Sequence, residues 1–329
     1  MLAKLLTVLT LGVFIAAGAI AAEGTSSVAR KKAKFSVKAV AAKKNVAPVK
    51  KTVAYKANIR KVSASGSDQW LATQKLAVSS GAALVVEQGG GQPIYEKNSD
   101  AVVPIASITK LMTAMVVLDS VPALHDTITI SDEDVDYLRG SRSRLRVGAE
   151  LTREDALLVA LMSSENRATH ALARHYPGGL SAFVAAMNRK AAELGMYHTR
   201  FEEPTGLSSN NVSTAHDLAK MVAAAHRYPL IREFSTTAEA TLNVSGRPLA
   251  YNNTNQLVKS SSWDIGLSKT GFIHEAGKCL VMQAWVADRS VVIVLLDSAG
   301  KLTRIGDANR IKRWMELKQA TSVGKDRSA

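Results

Sequence analysis

Twelve of the chain's fourteen net positive charges sit in its first 67 residues, and that asymmetry decides which part of the chain can fold around a core. Those residues hold thirteen Lys and Arg against one acid, Glu23; the remaining 262 hold 29 Lys and Arg against 27 Asp and Glu. From Glu23 to Gly66 the chain is largely Ala, Lys, Val and Ser, with Pro48 interrupting it and Phe35 and Tyr55 its only aromatics. Such a segment has too little apolar surface to offset its ordering entropy, and its like charges repel. Residues 23–67 therefore read as a disordered basic tether. The body is nearly neutral, so the overall basicity does not make it a nucleic-acid module, and nucleic acid is not an expected partner. A body of this length can bury a sizeable core as one large domain or two small ones. Cys279 is the only cysteine, which excludes an intrachain disulfide framework and a cysteine-cluster metal site. No metal or cofactor is expected.

Ahead of the tether, Lys4 precedes an apolar run from Leu5 to Ala22 that ends Ala-rich, with small residues at Ala19 and Ala21. Residues 1–22 look like a secretory signal peptide. The run is also long enough to be an uncleaved membrane anchor. The basic cluster Arg30, Lys31, Lys32 and Lys34 would favour a cytoplasmic position, but the chemistry read from the body favours export to the periplasm.

Within the body, Ala82-Ala83-Leu84-Val85-Val86 is a short β-type run, Gly89-Gly90-Gly91 can turn, and Gln92 to Lys97 reads as the returning strand. Ser107 opens a helical pattern over Ile108–Leu118. Thr152-Arg-Glu-Asp155 resembles a capping box for a helix to Met162, and Thr214-Ala-His-Asp217 caps another through about Ala225. Between them lie helices over Arg167–His175 and Phe183–Leu194. Strands are expected at Trp263–Gly271, Lys278–Ala287 and Val291–Asp297, the last two joined at Asp288-Arg289. A helix over Ile305–Leu317 closes the body, with residues 321–329 as a disordered tail. Strands segregated from helices predict an α+β fold whose early and late strands share one antiparallel sheet.

Three short patterns follow in order: Ser107-Ile108-Thr109-Lys110 at a helix start, Ser164-Glu165-Asn166 in a break between helices, and Lys269-Thr270-Gly271 on a late strand. Each is weak alone. Ser298-Ala-Gly-Lys301 repeats the first, and Ser208-Ser209-Asn210 and Ser209-Asn210-Asn211 repeat the second. Ser298 ends a strand and enters a glycine turn, which gives no helical register. Ser107 and Lys110 lie three apart on one side of a first turn, where backbone N–H groups can face a developing oxyanion. Ser107 as a mere helix cap is the bland alternative, and it would win for that pattern alone.

A serine hydroxyl needs a base to become a nucleophile. His170, His175 and His216 are not placed for a Ser-His-Asp triad and read as ordinary histidines. Lys110 can be the base if its pKa falls from about 10.4 towards about 7–8, a shift that desolvation and a second cation both favour. Lys269 supplies that cation and can hold a substrate carboxylate. Ser164 can relay a proton to the leaving amine, and Asn166 can bond a substrate amide. The strand from Lys269 to Phe272 can offer its backbone to an extended peptide.

The ordered trio is a signature shared by penicillin-binding proteins and class A β-lactamases. The chain resembles the low-molecular-mass penicillin-binding proteins from about Leu76 to about Glu316. The stretches Ser143-Arg-Leu-Arg-Val-Gly148, Leu161-Met-Ser-Ser-Glu-Asn-Arg167, His175-Tyr-Pro-Gly-Gly179, Arg200-Phe-Glu-Glu-Pro-Thr-Gly-Leu207 and Asn211-Val-Ser-Thr-Ala215 are similar to the penicillin-binding protein 7 type, the D-alanyl-D-alanine endopeptidases. The resemblance implies a transpeptidase-like fold over residues 68–320: a five-stranded antiparallel sheet flanked by helices, with a helical insertion carrying the S-x-N motif. It implies that Ser107 forms an acyl-enzyme with Lys110 as base, that Ser164 and Asn166 assist, and that Lys269, Thr270, Gly271 and Phe272 bind substrate. The N–H groups of Ser107 and Phe272 would form the oxyanion hole. The partners implied are peptidoglycan stem peptides and their cross-links, with β-lactams as covalent inhibitors. The tether lies outside the likeness; its charge suggests contact with an anionic surface through residues 30–61.

A D-alanyl-D-alanine carboxypeptidase differs only in what leaves after the scissile bond, which the motifs do not encode. A serine β-lactamase shares the trio, and Glu203-Pro204 is similar to the Glu-Pro of the class A deacylating loop, although the Pro-Thr-Gly-Leu that follows favours a structural role for Glu203. A non-catalytic wall-binding protein driven by the tail is the remaining class, and the intact trio argues against it.

Overall fold

A computed structural model describes residues 76–120 and 122–326. The expected signal peptide and basic tether lie outside the described residues.

The chain enters as β1 (Ala82–Glu87) and β2 (Tyr95–Lys97), and short β3 (Val103–Pro104) leads into a 3-10 turn, Ala106–Thr109. Helix α1 (Lys110–Asp119) follows, then β4 (Thr127–Thr129) and β5 (Glu150–Thr152), which pair with each other. Next come α2 (Arg153–Met162), α3 (Asn166–Arg174) and α4 (Gly179–Glu193). Strand β6 (Val212–Ser213) pairs with β3 and precedes α5 (Ala215–Ala225), α6 (Pro229–Thr236) and the hairpin β7 (Glu239–Val244) and β8 (Arg247–Asn252). Three long strands, β9 (Asp264–Ile273), β10 (Gly277–Val286) and β11 (Arg289–Ser298), and helix α7 (Lys301–Asp326) complete the fold.

The early and late strands do share one sheet, of order β2-β1-β11-β10-β9, antiparallel throughout. Period-two alternation divides its side chains. Ala82 and Leu84 of β1 and Val292, Val294 and Leu296 of β11 face the helical insertion, while Ala83, Val85, Val291, Ile293 and Leu295 face Ala308, Ile311 and Met315 of α7. Both faces are covered, which is why these strands read as unbroken apolar runs rather than alternating ones. Helix α1 is the pillar of the insertion: every residue from Lys110 to Val117 is buried. A helix buried on all sides shows little amphipathic pattern.

Local signals explain several boundaries. Thr152 caps α2 by accepting from Asp155 N at 3.0 Å, and Thr214 caps α5 by accepting from Asp217 N at 3.1 Å; each cap contributes about 1 kcal/mol. The β10–β11 turn falls one residue earlier than expected, at Ala287 and Asp288. Both have positive φ, 52° and 55°, the geometry of a two-residue type I′ turn.

Two expectations need correction. The helical pattern beginning at Ser107 splits into a 3-10 turn and α1, because positive φ at Ala106 (48°) tightens the entry. The closing helix is longer than Ile305–Leu317, so residues 321–326, expected in a disordered tail, are helical. Thr321, Ser322 and Gly324 are weak helix formers, but extending an existing helix needs no new nucleus. Residues 229–252 carry α6, β7 and β8, none of which the sequence patterns indicated.

Candidate active site

The three motifs converge on one cleft between edge strand β9 and the helical insertion. Ser107, Ser164, Asn166, Thr270, Gly271 and Phe272 all line a cavity of about 670 Å³. Lys110 and Lys269 lie beneath it, each 1% exposed.

Two glycines set the position of Ser107. A Cβ at Gly206, whose φ is +84°, would sit 2.0 Å from Ala106 O and 2.8 Å from Ser107 N. A Cβ at Gly271 would sit 2.8 Å from Ile105 O and 3.1 Å from Ser107 N. Only glycine lets the 203–208 loop and β9 close on the turn that carries Ser107 from two sides. Ser107 caps nothing: neither the 3-10 turn nor α1 has a side-chain cap bond.

Lys110 Nζ lies 3.1 Å from Ser107 Oγ, 2.7 Å from Asn166 Oδ1 and 2.6 Å from Thr205 O. As an ammonium it has three donors and three acceptors; once neutral, it has a lone pair to offer Ser107. Burial lowers its pKa to about 8, although Glu203, Glu165 and Asp136 pull the other way. Lys269 Nζ donates to Ser164 Oγ at 3.0 Å and to Thr270 O at 3.0 Å. Burial, and then the charges of Lys110 and Arg304, push its pKa well down as well. Lys110 is thus lowered by its own burial, and its charge in turn opposes charge on Lys269. A substrate carboxylate reaching Lys269 would restore its charge.

Ser164 sits in the α2–α3 break with φ +65°, uncommon for a residue with a side chain. Such strain persists where surrounding structure enforces it. Glu165 N-caps α3, which fixes Asn166 at the helix start. Asn166 Nδ2 donates to Ser141 Oγ at 3.0 Å, so its amide is held on both sides.

Residues 69–300 match the profile of the D-alanyl-D-alanine carboxypeptidase family, peptidase family S11. The chain belongs to that family. It is 51% identical over 248 residues to a D-alanyl-D-alanine endopeptidase of Pseudomonas aeruginosa, covering 75% of this chain and 80% of the relative. A D-alanyl-D-alanine endopeptidase of Escherichia coli K12 is 48% identical with the same coverage. The crystal structure of the Streptomyces K15 DD-transpeptidase superposes with a TM-score of 0.68 at 29% identity, covering 74% of this chain and 98% of that one. The expected transpeptidase-like fold stands, and the chain is a serine peptidase.

The decoy patterns fall elsewhere. Ser298 is buried and bonded to Ser80 Oγ at 2.6 Å. Ser208 accepts from Asn210 N at 3.0 Å within a loop. Glu203 is structural: its carboxylate accepts from Thr205 N at 2.6 Å, Gly206 N at 2.6 Å and Asn211 Nδ2 at 3.0 Å. The three histidines bond outside the site. His170 Nδ1 meets Asp134 at 2.8 Å, His175 Nδ1 meets Ala171 O at 2.8 Å, and His216 lies 3.7 Å from Glu96 and Asp100. Burial resists ionisation of Asp134, but bonds from His170, Arg174 and Ser131 outweigh it and bring its carboxyl down to about 2. Cys279 is buried, which pushes its thiol up to about 11 and keeps it inert.

Sequence reasoning missed Ser141, Thr254 and Arg304. Thr270 Oγ1 donates to Thr254 Oγ1 at 2.6 Å. Arg304 passes under β9 from α7, bonds Gly271 O at 3.2 Å and Cys279 O at 2.9 Å, and lines the cleft. Each comes from a segment far away in sequence with no motif of its own. Only the arginine's position on the apolar side of a closing helix could have drawn notice.

Proposed function

We propose that the chain is a D-alanyl-D-alanine endopeptidase that cuts peptidoglycan cross-links through an acyl-enzyme at Ser107. The observation that carries the reading is Lys110, a buried amine 3.1 Å from Ser107 Oγ with a pKa of about 8. In its neutral form it takes the Ser107 proton as Oγ attacks the carbonyl carbon of the D-Ala–D-amino acid bond. The N–H groups of Ser107 and Phe272 face the developing oxyanion. Collapse breaks the C–N bond, and the proton returns from Lys110 to the leaving amine with the Ser164 hydroxyl as relay. Water then attacks the ester, restoring Ser107 and leaving a free carboxylate. Asn166 orients the peptide amide beside β9, and Lys269 and Thr270 hold the carboxylate next to the leaving amine.

Preference for cross-links over trimming rests on the two relatives at 51% and 48% identity, both named endopeptidases. The carboxypeptidase of Bacillus subtilis stands further off, at 31%. A lactamase reading lacks its deacylating carboxylate, because Glu203 is fully engaged by its own loop. β-Lactams would acylate Ser107 and leave slowly. Export by residues 1–22 would put the enzyme in the periplasm, with the basic residues 30–61 contacting an anionic wall or lipid surface. Among the described residues no helix is long and apolar enough to cross a membrane. Product analysis on purified peptidoglycan tests the reading: cross-linked muropeptide dimers should become monomers. Release of free D-Ala with dimers untouched would make the enzyme a carboxypeptidase.

A further inference from the structure

The cleft is much larger than the motifs need. Beyond Thr270 it continues along residues 252–259, where Asn252, Thr254, Gln256 and Lys259 form one wall. A cavity of about 670 Å³ suits a drug-sized ligand, not a single alanine.

That wall is pinned before any ligand arrives. Thr254 N donates to Met162 O at 3.1 Å, which ties the segment to the end of α2 just before Ser164. Asn253 Nδ2 donates to Ser235 O at 3.0 Å and Thr237 O at 2.8 Å. Asn255 Nδ2 donates to Ser268 Oγ at 2.8 Å. The side chains of Asn253 and Asn255 thus anchor the stretch to the body, while the exposed Asn252, Gln256 and Lys259 line the cleft. Lys259 Nζ bonds Glu239 Oε2 at 2.9 Å and Asn252 Oδ1 at 3.1 Å. Glu239 is 70% exposed, and a surface pair of this kind is readily exchanged for another carboxylate.

We propose that the Asn252–Lys259 wall is the subsite for the leaving half of a cross-link: a second stem peptide whose carboxylate pairs with Lys259. The proposal rests on the endopeptidase reading. Direction follows from Thr270. On that reading, this residue holds the carboxylate beside the leaving amine, and its hydroxyl bonds Thr254, so the wall begins where the leaving group begins. The acyl half lies instead along β9 at Phe272. Trimming releases one alanine, which ends at that carboxylate. Cutting a cross-link releases an amine that belongs to a whole peptide with further carboxylates, and a rigid amide-lined wall bearing one ammonium matches it.

Binding can be measured without turnover on the full chain carrying Ser107→Ala. Titration with a cross-linked tetrapeptide dimer and with the uncross-linked monomer should show tighter binding of the dimer. Adding Lys259→Glu should weaken the dimer about tenfold and leave the monomer unchanged. Glu239→Gln removes the partner but keeps the ammonium, so dimer binding should hold or strengthen. Equal loss for both peptides, or for neither, overturns the subsite. If the unsubstituted chain releases D-Ala and cuts no dimer, the endopeptidase reading fails on its own, and the Ser107→Ala titration still decides the subsite.

Discussion

Ser107-Ile-Thr-Lys110 and Ser298-Ala-Gly-Lys301 spell the same pattern at opposite ends of the body, and they have opposite fates. Ser107 stands on a 3-10 turn at the mouth of a cleft, with a buried amine one helical step away at 3.1 Å. Ser298 ends β11 with no exposure, and its hydroxyl is used inside the protein, 2.6 Å from Ser80 Oγ. Four residues can name a nucleophile and a base. They cannot supply the register that joins the two or the opening that admits a substrate.

The sharpest break of that comparison is covalent labelling. Ser107→Ala should abolish the penicillin adduct entirely, and mass spectrometry of the unsubstituted chain should place it on the Ser107 peptide. Ser298→Ala should label as the unsubstituted chain does. An adduct on Ser298 or Ser164 would refute the assignment of the nucleophile.

Next in size is the base. Lys110→Arg cannot offer a neutral nitrogen and should lose about 10²- to 10⁴-fold in acylation rate. The sign with pH follows from the direction of the shift. Burial lowers Lys110 to about 8, and the proposed mechanism uses its neutral form, so acylation should rise as pH climbs through about 8. Lys269→Arg still offers a cation to the substrate carboxylate and should keep more activity than Lys110→Arg. A flat profile from pH 6 to 9, or near-normal acylation by Lys110→Arg, would put the base elsewhere.

What was legible in the sequence follows the range of the forces involved. The Thr152 and Thr214 caps act within three residues, and both stand where the pattern put them. The long apolar strands are legible because both faces of the sheet are covered. The motif trio is legible because one helix start, one break and one strand each leave a local mark. The site's remaining parts leave none. Lys110 is held by Thr205 O, across 95 residues of chain; Asn166 by Ser141; Thr270 by Thr254. Backbone carbonyls and lone hydroxyls have no composition signal, and the glycines at 206 and 271 declare their purpose only when a neighbouring backbone lies within contact. The hairpin β7–β8 was missed for a related reason. Only Leu242, Val244 and Tyr251 in it are buried, which leaves a mostly polar stretch with little periodicity to read.

The smallest expected effect belongs to the buried member of the comparison. Ser80 Oγ donates to Asp307 Oδ2 at 2.6 Å, which leaves Ser298 to donate to Ser80. Asp307 also accepts from Ser79 N at 2.9 Å and Ser80 N at 2.8 Å, so the chain entering β1 is fastened to α7 through one carboxylate. Burial opposes ionisation of Asp307, yet these bonds and one from Arg310 hold its pKa below the usual value. A depressed carboxylate contributes stability above its unfolded pKa of about 3.9, and that contribution fades as pH falls through the lower folded value. Ser298→Ala removes one neutral bond from this group and should cost about 1 kcal/mol in denaturant unfolding at pH 7, with penicillin acylation unchanged. Asp307→Asn should cost more at pH 7 and progressively less in acid, as the native carboxylate itself becomes protonated. If Ser298→Ala slowed acylation with no loss of stability, the second Ser-x-x-Lys would have a part in catalysis after all.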